Sequence, residues 1–147
     1  MQQAPVIIEQ TLPASKETVW QALTSKEQMK EWYFDLAAFS AKPGFTFSFT
    51  GTDNEGKEWL HHCEVIEVIP NEKLSYTWRY DGCKGVSLVS WELLGKGANT
   101  HLRLTHSGLE TFPPIKSLAR ENFVEGWHYI LSTSLKNFLE KQQPVVS

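Results

Sequence analysis

Between Phe45 and Ser107 apolar residues recur at every second position, and turn-forming clusters interrupt the alternation at regular intervals: GTDNEGK at 51–57, PNEK at 70–73, YDGCKG at 80–85 and GKGA at 95–98. A period of two belongs to strands with one buried face, and breaks rich in glycine and asparagine belong to hairpins. The stretch therefore reads as a five-stranded antiparallel meander. Because a slip of one residue turns every side chain over, a register is acceptable only if it gathers the apolar residues on one side. Turn centres near Asn54, between Asn71 and Glu72, between Gly82 and Cys83, and between Lys96 and Gly97 meet that test. One face then carries Phe45, Phe47, Phe49, Trp59, His61, Cys63, Tyr76, Trp78, Val89, Trp91, Leu102, Leu104 and His106. The other carries Thr46, Ser48, Thr50, Ser75, Thr77, Arg79, Ser90, Glu92, His101, Arg103 and Thr105, so the sheet has a wet side and an aromatic side.

One strand breaks the pattern. Across Trp59 to Ile69 simple alternation turns Glu67 inward while Ile66 and Val68 face water. Either a bulge near Val65 exchanges the faces or Glu67 is buried. The same register sets Cys63 opposite Tyr80 and leaves Cys83 in a turn, so these two cysteines, the only ones in the chain, are not expected to form a disulfide.

The flanks read as helix and strand. Val6 to Thr11 is a short strand closed by Leu12-Pro13. Ser15 is the N-cap of a helix bearing Val19, Trp20 and Leu23, and Ser25-Lys26-Glu27-Gln28 is a capping box for a second helix ending near Trp32. Ser117 to Glu140 repeats at helical period, with Phe123, Trp127, Ile130, Leu131, Ser134, Leu135 and Phe138 on one face. At ~1.5 Å per residue it spans about 36 Å, close to a strand of about ten residues, so a single helix can cross the aromatic face. QQPVVS at the end reads as untethered. The expectation is an α+β chain in which residues 1–147 form one domain.

The formal charge of −3 and the absence of basic runs exclude a nucleic-acid partner. No apolar stretch is long enough to cross a bilayer, and MQQAPVIIEQ lacks the pattern of a targeting segment, so a soluble cytoplasmic protein without membrane insertion is expected. No metal or cofactor signature is present, since the cysteines lack the CxxC spacing and His61, Cys63 and His106 fix no third or fourth ligand. The six Trp, eight Phe and four Tyr set the functional question of where those rings point. Large rings held apart by a crossing helix leave space between them. Gly126, costly inside a helix, marks either close packing on the sheet or a notch facing a cavity.

Four segments carry a resemblance: VIIEQTLPASKETVWQALTSKEQMKEWY, HHCEVIEVIPNEKLSYTW, LTHSGL and EGWHYILSTSLKNFL. They resemble the START-like, or SRPBCC, helix-grip fold, and within it the family of activator of heat-shock-protein-90 ATPase homologues, its C-terminal-domain-like branch. The resemblance implies a curved antiparallel sheet wrapped around a long C-terminal helix, with two short helices after the first strand. It also implies a deep apolar cavity for lipid-like or aromatic small molecules. The chain has no counterpart of the co-chaperone's additional N-terminal domain, so an interaction with heat-shock protein 90 is not expected.

The expected lining is Phe45, Phe47, Tyr76, Trp78 and Trp91 on the sheet, Phe123, Trp127 and Leu131 on the helix, and Trp32 with Phe34 at the entrance. His61, Cys63 and His106 share the inner face; with Tyr76 and Ser87 the histidines either orient a ligand or hydrogen-bond one another. GxSxG and HExxH are absent, and His61 and Cys63 stand ~6–7 Å apart by strand rise. The reading is a carrier or sensor of a small hydrophobic molecule. An aromatase, cyclase or hydrolase would use His61, Tyr76 or an inward Glu67, and a co-chaperone-like interaction module would need an exposed apolar patch beyond Leu60 or Leu88.

Overall fold

A computed structural model describes residues 4–53, 55–95 and 97–142. The QPVVS end, the side chain of Gln142 and the turn residues Asn54 and Lys96 lie outside the described residues. The alternating stretch forms β2 (Thr46–Thr52), β3 (Glu58–Ile69), β4 (Lys73–Tyr80), β5 (Ser87–Leu94) and β6 (Thr100–Ser107), with Phe45 just ahead of β2. With β1 (Val6–Leu12) they make one six-stranded sheet in the order β1-β6-β5-β4-β3-β2, every pairing antiparallel.

Two helices follow β1. Ser15 accepts the N–H of Thr18 at 3.3 Å to open α1 (Lys16–Thr24), and Ser25 accepts that of Gln28 at 3.4 Å to open α2 (Lys26–Trp32). Ser25 also ends α1 through its own N–H to the Gln21 carbonyl, so the chain turns on one residue.

The register differs from the expected one without inverting a face. Tyr76 faces Val89 as expected. Phe47 pairs with Cys63 instead of His61, Tyr80 with His61 instead of Cys63, and Trp91 with Leu104 instead of Leu102. Each correction moves the partner by two positions, which preserves the side of the sheet. The expected inner residues are accordingly buried, Phe45 only partly. The β3–β4 ladder shifts between Val65 and Glu67. This bulge turns Glu67 outward to Lys73 at 3.0 Å and brings Val68 against the core, leaving Ile66 exposed as the extra residue. Ser75, expected on the wet face, is buried: its register partners Glu67 and Ser90 flank it, and its hydroxyl meets that of Ser90 at 2.9 Å.

The last helix starts later than the sequence implies and is not uniform. Lys116–Leu118 is a separate 3₁₀ turn, and α3 (Arg120–Tyr129) begins after an extended Ala119. Ser117 lies in that turn, and its hydroxyl donates to Asp53. A π-helical stretch, Ile130–Leu135, then joins α3 to α4 (Lys136–Gln142). Within it Ser134 donates to the Trp32 carbonyl at 2.6 Å, fastening the helix to the end of α2. Phe123, Trp127, Leu131, Leu135 and Leu139 face the sheet and are buried. Among the described residues no helix is long and apolar enough to cross a membrane.

Candidate functional site

The three central tryptophans do not frame the expected hollow. Trp78 and Trp127 meet at 5.3 Å between centroids and Trp91 and Trp127 at 5.6 Å, both edge to face. Such pairs gain about 0.5–1.5 kcal/mol beyond area burial, so this part of the interior is solid. Its polar atoms are also satisfied. Trp91 Nε1 donates to the Tyr76 hydroxyl at 2.9 Å, the Tyr33 and Tyr76 hydroxyls meet at 2.7 Å, and Trp32 Nε1 donates to the Ala22 carbonyl. Burial pushes both tyrosine hydroxyls and the Cys63 thiol above their usual ranges, so none ionises near neutrality.

His106 belongs to the same solid region. The Trp127 indole N–H donates to Nδ1 at 2.9 Å, which leaves the proton of a neutral ring on Nε2, 2.7 Å from Ser87 Oγ. Ser87 in turn donates to the Trp78 carbonyl at 2.7 Å. From Nε2 onward each proton points away from the imidazole, so Ser87 cannot pass one to it as a catalytic serine would. Burial lowers the pKa of His106 to about 3.

The open space lies at the end of the sheet that carries the β2–β3 hairpin. There a cavity of about 730 Å³ opens between the hairpin and the start of α3. Phe34, Trp59, Trp78, Tyr80, Phe123, Trp127 and the exposed Tyr129 supply its rings, and Leu118 and Ile130 add aliphatic surface. Its polar lining includes His61, Asp53, Ser117, Asn122, Glu55, Glu125 and Lys116. Gly126 lines it too, and a Cβ built there would meet nothing within 4 Å. Of the two readings open for this glycine, close packing on the sheet is therefore excluded.

Two polar groups define the rim and the floor. Asp53 accepts backbone N–H groups of Glu55 and Lys57, both at 2.9 Å, the Trp59 indole N–H at 2.8 Å and the Ser117 hydroxyl at 3.0 Å. The indole bond first, with the other donors, lowers its pKa to about 2. It thereby ties the hairpin to the turn before α3 across the mouth. His61 stacks on Phe49 at 4.4 Å, and its Nδ1 lies 3.3 Å from the Phe49 carbonyl, which can only accept. Nδ1 therefore carries the proton and Nε2 is the acceptor, while burial lowers the pKa of His61 to about 4.

Of the residues singled out in the sequence, Phe34, His61, Trp78, Phe123 and Trp127 come together on this lining. Trp32, Phe47, Cys63, Tyr76, Trp91, His106 and Leu131 are packed in the solid core, with Phe45 against its edge. Of the four polar residues expected to orient a ligand or hydrogen-bond one another, only Ser87 and His106 bond each other; Tyr76 bonds Tyr33 and Trp91, and His61 the Phe49 carbonyl. Trp59, Tyr80, Asp53 and Ser117 were not anticipated in the lining. Trp59 and Tyr80 share their face with His61 and flank the hairpin end, which was a usable signal; the Asp53–Ser117 contact joins positions 64 apart and had none.

A curved antiparallel sheet closed by a C-terminal helix, with an apolar cavity where that helix begins, defines the helix-grip, START-like class. Within it the model of the activator of Hsp90 ATPase homolog 1-like protein family matches residues 13–140, and the chain belongs to that family. Among solved structures, protein MLL2253 from Mesorhizobium loti is 28% identical over 95% of this chain and 99% of its own, with a TM-score of 0.76. Protein CV1439 from Chromobacterium violaceum is 20% identical over 93% and 97%, at 0.77. DynU16, from the dynemicin biosynthetic locus, is 23% identical over 97% of this chain but 49% of its own, at 0.76. No curated protein matches the chain.

Proposed function

We propose that the cavity at the start of α3 binds a small apolar molecule bearing a ring, and that the protein carries or senses this molecule in the cytoplasm as a single domain without turning it over. The observation that supports the reading is a space of about 730 Å³ walled by seven aromatic rings, a size suited to a small ligand. The sequence-level site narrows accordingly to Phe34, His61, Trp78, Phe123 and Trp127, joined by Trp59 and Tyr80. Burying ~300 Å² of apolar ligand gains about 7.5 kcal/mol at ~25 cal/mol per Å² before ordering and association costs, so apolar contact alone binds no tighter than the micromolar range.

The absence of a paired nucleophile and base in the lining favours binding over chemistry. Ser117 donates its proton to Asp53, whose carboxylate already accepts four donors, and His61 has no hydroxyl or thiol hydrogen-bonded to it among the described residues. The test is a tryptophan fluorescence and thermal-shift titration with fatty acids, flavonoids and polyketide-like rings, run on the parent and on Gly126→Leu. Saturable quenching with a raised Tm, weakened in the variant that fills the mouth, supports the proposal. No response to any class refutes it, and turnover abolished by His61→Ala would replace it with an enzyme.

A further inference from the structure

We propose that the molecule held in this cavity carries a cationic ammonium group at the mouth, and that the site discriminates against carboxylates. The inference rests on the cavity being a binding site and adds the charge of its guest. Three carboxylates line the cavity, Asp53, Glu55 and Glu125, against the single ammonium of Lys116. Lys57 stands outside the lining with its Nζ 4.2 Å from the centroid of the Trp59 ring; counting it, carboxylates still exceed ammoniums by three to two. Among the described residues the lining contains no arginine.

The carboxylates are not equally committed. Asp53 is saturated by four donors, and Glu55 has Lys116 at 3.9 Å. Glu125 is exposed and makes no ion pair among the described residues, yet it precedes Gly126 on the stretch of α3 that walls the mouth. It is the carboxylate left to meet a guest. The rings supply an independent reason for a cation, since aromatic faces attract positive charge and repel negative charge. Lys57 above Trp59 is a protein ammonium already held on a ring of this lining. A carboxylate guest would meet those same ring faces, the Glu125 charge, and only one lining ammonium, itself paired with Glu55.

Three compounds sharing one ring system separate charge from apolar binding: 2-naphthylmethylamine, 2-naphthalenemethanol and 2-naphthoate. Each is titrated into the full chain at pH 7.5 by calorimetry, at low and high salt, and again into Glu125→Gln. The expected order is amine, alcohol, acid, with the amine binding roughly fivefold or more tightly than the acid at low salt. That ratio contracts with added salt, because the charges at the mouth are exposed to solvent, and it contracts in Glu125→Gln, where the amine weakens by more than the alcohol. An acid that binds as tightly as the amine, or a ratio untouched by Glu125→Gln, overturns the charge preference and leaves the binding site standing. Failure of all three compounds to bind overturns the binding site and the preference together.

Discussion

In the folded chain His106 stays neutral down to about pH 3 and His61 to about pH 4, whereas an imidazole in the unfolded chain takes up its proton near pH 6.5. Their neutral burial therefore contributes stability that is complete above pH 6.5 and is lost as pH falls from there toward the folded values. Each unbalanced proton costs about 1.4 kcal/mol per pH unit, so the two together approach a slope of about 2.7 kcal/mol per unit near pH 5. Against a total stability of roughly 5–15 kcal/mol, one or two units of acid are decisive. The lowered carboxylates of Asp53 and Glu9 act mainly below about pH 5, at the acid end of this window, because their ordinary values are 3.8 and 4.5.

Urea unfolding at pH 7.5, 6.0, 5.5 and 5.0 measures the slope. In His106→Gln the whole curve is lower, since edge-to-face contacts with Trp78, Phe123 and Trp127 are gone. Its dependence on pH should nonetheless be shallower by about 1.4 kcal/mol per unit, roughly 0.8 M in urea midpoint per unit. His61→Gln should remove a similar share at a site nearer the surface, which keeps the test alive if the first variant folds poorly. Parent and both variants losing stability in parallel between pH 6 and 5 would refute the reasoning.

The remaining predictions concern single side chains. Gly126→Ala should stabilise by about 1 kcal/mol, because alanine favours the helix and its methyl meets nothing, and calorimetric Tm measures it. Ser117→Ala should cost about 0.5–1.5 kcal/mol and raise the Asp53 pKa, read by denaturation and by carboxyl NMR titration; an unchanged pKa would mean that the hydroxyl does not reach the carboxylate. Gly85→Ala should destabilise by roughly 2–4 kcal/mol in urea, since φ is +100° and the new Cβ would lie 2.4 Å from the Thr111 carbonyl oxygen.

Much of this architecture is written in local pattern. Parity along each strand placed the aromatic face correctly even where the partner was displaced by two, because a shift of two preserves the side of the sheet. Ser15 and Ser25 announced α1 and α2, and the misfit of Glu67 located the bulge. The cavity was misplaced along the sheet. Periodicity tells which face a ring takes but not how far its neighbour stands from it, so Trp91 and Trp127 looked like walls and are in contact. The late start of α3 was hidden for a related reason: the helical period runs on through Ser117, and only the fold brings Asp53 within reach of its hydroxyl.

Rings gather around open space at the hairpin end, whereas those around Trp32 and Trp91 are packed against one another. The six indole N–H signals test this division most directly, recorded by NMR while 2-naphthalenemethanol is titrated in. Trp59, Trp78 and Trp127 should shift and saturate together while Trp20, Trp32 and Trp91 hold still. Shifts led by Trp32 or Trp91, or none at saturating compound, would contradict it.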